Sequence, residues 1–115
     1  MKTSSRMKDF WNKTFFDEKN NPKQGHEYRT LRDSFGYNEV GILLRWKDGR
    51  LNDDGDQPAV EFQDAHIEHF QNGLLHNDLK ESDGYLSPAI ISDYGKKMEY
   101  WLKGKQVQPP KELAS

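Results

Sequence analysis

The chain has 115 residues, enough for a single domain with a modest core. Only 33% of them are hydrophobic and 31% are charged, but 12% are aromatic, and the area each ring buries argues against a disordered chain. The absence of cysteine excludes disulfides, thiolate metal sites and cysteine nucleophiles, and no apolar run reaches the length of a membrane span.

The opening MKTSSRMKDFW lacks the apolar run of a secretory signal, so a cytoplasmic location is expected. Met7, Phe10, Trp11 and Phe15 then fall at i, i+3, i+4 and i+8. That spacing predicts a short α-helix over 5–16, capped by Ser4 or Ser5, whose aromatic face covers a sheet. Asn20 to Gly25 read as a loop.

The rest of the chain is repetitive. LRWKDGRLN from Leu44, EHFQNGLLH from Glu68 and EYWLKGKQV from Glu99 each place an aromatic three residues before a glycine. These are Trp46 and Gly49, Phe70 and Gly73, Trp101 and Gly104. A second shared element leads from Gly55 to Pro58-Ala59-Val60 and from Gly84 to Pro88-Ala89-Ile90. Asp48-Gly49 and Asn72-Gly73 are strong hairpin signals, because both central residues of a type I′ turn need positive φ. Lys103-Gly104 is a weaker form, and further turns fall at Asp64-Ala65 and Tyr94-Gly95. The expected fold is mainly β, an antiparallel meander of repeated hairpins over 27–107. Its five to six strands lie near 40–47, 58–63, 66–71, 87–92 and 97–103, with an extra one near 27–33. A flexible tail follows at 108–115.

Aromatic-x-x-Gly-x-Leu, then Gly, Pro-Ala and a further aromatic-x-x-Gly, resembles the MORN-like repeats over roughly residues 41–107. The resemblance implies one hairpin per unit, stacked into an extended sheet that binds proteins or sometimes lipid head groups. It implies no catalytic residue. The chain departs from the commoner form in lacking a paired Gly-x-Gly and in an insertion from Leu79 to Asp83.

Charge is unevenly laid out. Residues 1–32 carry eight Lys/Arg against four Asp/Glu (net +4), residues 33–94 four against thirteen (net −9), and residues 95–115 five against two (net +3). Asp53, Asp54, Asp56, Glu61, Asp64 and Glu68 are the candidate partner-binding residues of this acidic belt, which would steer a protein with a basic surface. Solubility alone accounts for many such belts. The motifs of catalysis fail on inspection. His66 and His69 stand three apart on a strand and so point to opposite faces, while His76 occupies a position that other repeats fill with Asn52 and Val107. Asn52 to Asp56 lacks the glycine and glutamate placement of a calcium loop. No nucleophile triad, phosphate loop or dinucleotide fingerprint is present. The expectation is a non-enzymatic protein-binding module without metal or cofactor, contacting neither membrane nor nucleic acid directly. The alternative is a small acidic inhibitor of a nucleic-acid enzyme, acting by phosphate mimicry.

Overall fold

The computed structural model describes residues 3–32, 36, 38–82 and 84–109. Of the tail expected at 108–115, positions from 110 onward lie outside the described residues. Ten strands are present among those described: β1 (Gly25–Arg32), β2 (Glu39–Lys47), β3 (Arg50–Leu51), β4 (Val60–Phe62), β5 (His66–Glu68), β6 (Phe70–Gln71), β7 (Leu74–Leu75), β8 (Ile90–Ser92), β9 (Lys97–Leu102) and β10 (Lys105–Val107). The strands pair antiparallel in the order β1-β2-β4-β5-β8-β9-β10, with β3 folded back on β2, and β6-β7 forms a separate small hairpin. Strands lie at each place where one was expected, but the single strand expected over 66–71 divides at His69 into β5, in the large sheet, and β6, in the separate hairpin. Three further strands, β3, β7 and β10, are the short return arms of hairpins, two or three residues each, too brief for a periodic pattern to register.

The turns follow from backbone sterics. Asp48-Gly49, Asn72-Gly73 and Lys103-Gly104 all have positive φ at both residues, as a type I′ turn requires. Gly49 is needed twice over, since a Cβ there would meet Thr14 Cγ2 at 2.6 Å and the Phe15 carbonyl oxygen at 2.8 Å. Hairpin tips join in series: Gly73 N donates to Leu51 O and Gly104 N to Leu75 O, each at 2.9 Å. The three repeat aromatics, Trp46, Phe70 and Trp101, are buried with Leu44, Leu51, Val60, Leu75 and Ile90.

The α-helix expected over 5–16 is not formed. A single 3₁₀ turn, Lys8–Phe10, stands in an otherwise irregular segment, and Asn12 has φ 54°. The cause lies in competing acceptors. Ser4 N donates to Glu99 Oε2, Arg6 N to Glu68 Oε2, Asn12 N to Gly73 O and Phe15 N to Gly49 O. A short helix has a costly nucleus, and the sheet satisfies these donors without one. The aromatic side chains still cover the sheet as the pattern suggested. Met7 is buried, Trp11 meets Trp101 edge-on at 5.7 Å, and Phe15 packs 5.3 Å from Trp46. Residues 3–16 are thus a strap laid over the inner face of the sheet.

Candidate functional site

Strand alternation divides the sheet into a covered face and an open one. Ile42, Leu44 and Trp46 point into the core beneath the strap, whereas Leu43 and Arg45 point the other way. The register then brings Tyr28, Leu43, Glu61, Ile67, Ile91 and Met98 side by side on the open face. Five of these six are apolar or aromatic. At a strand spacing of about 4.8 Å the row runs for about 24 Å. Tyr28 is 76% exposed and Met98 49%, with the residues between half-buried. Glu61 is ion-paired with Arg45. One end of the row opens into a hollow shared with Arg45 and Asp54, the other into one lined by Leu79, Tyr85, Tyr100 and Asp56.

The six acidic candidates do not form one patch. Glu68 is wholly buried on the covered face, where it accepts from Ser5 Oγ at 2.6 Å and Arg6 N at 2.7 Å and bonds His66 Nε2 at 2.7 Å. Asp53 Oδ1 accepts from the backbone N–H of Ala59 and Phe70, and its other oxygen lies 2.7 Å from His69 Nδ1. Asp64 pairs with Arg6 at 2.9 Å and Glu61 with Arg45. Asp54 and Asp56 are exposed, in the loop that borders the row.

The repeat already carried the signal that separates these roles. Asn77 stands where the previous unit has Asp53, and each donates its N–H to the next repeat aromatic's carbonyl, Trp101 or Phe70. A position that accepts either a charged or a neutral side chain serves hydrogen bonding more than field. Glu68 and Glu99 likewise stand two residues before Phe70 and Trp101. The apolar row was hidden because its members lie on different strands, and only the register aligns them.

The histidines serve separate local bonds. His66 is buried against the Phe62 ring, and His69 lines the hollow on the other face. His76 Nδ1 accepts from Lys103 N at 2.9 Å. No group of three or more His, Asp or Glu side chains able to hold a metal occurs among the described residues, and no helix among them is long and apolar enough to cross a membrane.

Two glutamates on the covered face are perturbed. Burial alone would raise Glu27, but hydrogen bonds from Lys23, Arg29 and the Trp46 indole overcome it and hold the carboxyl down at about 2. Glu99 is also lowered against the effect of burial, by donors from Ser4, Thr3 and Trp101. A depressed carboxyl contributes stability that is full above its ordinary value of 4.5 and is lost as pH falls towards the folded value. Urea midpoints should therefore drop between pH 5 and about 2.5, with Glu27→Gln flattening the slope. An unchanged slope in that variant would show that Glu27 does not contribute to the acid transition.

Compared with known proteins, the chain matches no family model, no curated sequence and no solved structure.

Proposed function

We propose that this chain is a non-enzymatic protein-binding module that receives its partner on the open face of the sheet. The observation that carries the reading is the aligned row of Tyr28, Leu43, Ile67, Ile91 and Met98, left uncovered by the strap. Glu61 interrupts the row between Leu43 and Ile67, and apolar side chains gathered on either side of it on one open face mark an interaction site more specifically than scattered residues do. Asp54 and Asp56 border the row, so the complementary partner has an apolar centre and a basic rim. The hairpin repeats, with their turns in series, support a MORN-like array, a class of scaffold used for binding. Phosphate mimicry draws less support, since Asp53, Glu61, Asp64 and Glu68 are engaged within the chain.

Affinity capture from the native host's lysate, read by mass spectrometry, tests the proposal. The wild type should retain a discrete partner, and Met98→Lys with Ile67→Lys should weaken its binding at least about tenfold. Asp54→Lys with Asp56→Lys should slow association, an effect that vanishes at high salt. Asp53 is left intact because its side chain holds two backbone N–H groups. Undiminished capture by the row variant would overturn the reading.

A further inference from the structure

The two ends of the sheet are treated differently. An open edge strand presents unpaired N–H and C=O groups and is blunted in most proteins by shortness, lysine or proline. β10 is three residues long, carries Lys105, and is followed by Pro109. β1 is eight residues long, without lysine or proline, and no described strand pairs with its outer side. Its charged residues are Glu27, Arg29 and Arg32, of which Glu27 and Arg29 already pair with each other.

The direction of its free groups can be deduced. Arg45 N donates to Ala59 O and Gln63 N to Gly41 O, so the odd-numbered residues of β2 bond towards β4. Its even-numbered residues then bond β1, and the register pairs these with Gly25, Glu27, Arg29 and Leu31. His26, Tyr28, Thr30 and Arg32 therefore direct their backbone groups outwards.

We propose that β1 is a homodimer interface, pairing antiparallel with β1 of a second copy so that Tyr28 lies opposite Tyr28. Charge selects this register among those the outward groups allow. With Tyr28 on the two-fold axis, Glu27 faces Arg29 of the second copy, and the same contact recurs by symmetry. A slip of two residues one way sets Arg29 against Arg29, and the other way sets Glu27 against Glu27. The favoured register also places Leu31, 44% exposed, opposite Gly25, which has no side chain to obstruct it. Residues opposed in an antiparallel pair share a face. The open-face rows of the two copies thus meet at Tyr28 and become one row of twice the length.

The absence of native cysteine makes the register directly readable. Opposed Cα atoms of a hydrogen-bonded pair lie about 5.5 Å apart, within disulfide range. Thr30 would lie opposite His26, leaving the two Thr30 Cα atoms at least about 13 Å apart. Sedimentation velocity across a concentration series should show a monomer–dimer equilibrium for the wild type. Under mild oxidation Tyr28→Cys should give a covalent dimer and Thr30→Cys none. Thr30→Pro deletes an outward N–H in each copy and leaves the β1–β2 bonds intact, so it should weaken dimerisation about tenfold or more with an unaltered circular dichroism spectrum. A wild type that remains monomeric at high micromolar concentration would overturn the proposal, as would equal cross-linking through position 30. No lysate partner enters these measurements, so they stand apart from the test of the binding face.

Discussion

Trp101→Ala is expected to cost about 3–5 kcal/mol, the usual price of removing a fully buried large ring. The ring is 1% exposed, meets Trp11 edge-on, and its Nε1 donates to Glu99 at 3.0 Å. Truncation therefore opens a cavity, frees the strap's aromatic face and removes a donor from a half-buried carboxyl. Small domains have roughly 5–15 kcal/mol of total stability, so the variant should melt on the order of 10 °C or more below the wild type. Tyr94→Asn is the matched control. Tyr94 is 76% exposed in a turn at φ 55°, a conformation asparagine tolerates well, and the change should stay within about 0.5 kcal/mol. If Trp101→Ala melted within a few degrees of the wild type, the ring would not be a core residue and the repeat would have a different purpose.

Glu68→Ala is expected to destabilise by about 3 kcal/mol or more through a different mechanism. Its carboxyl is the shared acceptor for the Ser5 hydroxyl and the Arg6 N–H, and it bonds the buried His66 ring. Each buried polar group left unsatisfied costs about 1–3 kcal/mol. Glu68→Gln keeps one acceptor oxygen and should lose about half as much. The effect should also be local. Without Glu68 the strap loses its middle anchor, so the Arg6 amide should exchange faster and trypsin should cut after Arg6 sooner than in the wild type. Loss of global stability with no change in Arg6 exchange would mean that other contacts hold the strap.

Local chemistry made the repeat and its turns legible. An aspartate or asparagine before glycine, set between two strand-forming runs, favours positive φ at both residues, which is why Asp48-Gly49 and Asn72-Gly73 were readable from the chain alone, whereas at Asp54-Gly55 only the glycine has positive φ. The long strands and the burial of Trp46, Phe70 and Trp101 followed from alternation and from the shared repeat position. The N-terminal segment shows the limit of such reading. Met7, Phe10, Trp11 and Phe15 have helical spacing and do pack over the sheet, but the backbone between them forms a single 3₁₀ turn and no α-helix, because acceptors distant in sequence claim Ser4, Arg6, Asn12 and Phe15 N–H groups. Periodicity records which side chains are to be covered. It does not record which acceptor each N–H will meet.

The surface proposed for binding divides in the same way. Acidity in the middle of the chain is a property of composition, whereas the destination of each carboxyl depends on folding. Tertiary contacts placed Glu68 beneath the strap and Asp53 at a backbone cap, and left Asp54 and Asp56 at the rim. The row from Tyr28 to Met98 is wholly a product of register. Its members come from six strands separated by turns and one long insertion, and a slip of one residue in any pairing would turn a member to the other face. Turns depend on neighbouring residues and can be read locally, while a surface built across strands exists only once the hydrogen-bond ladder has set which residues lie abreast.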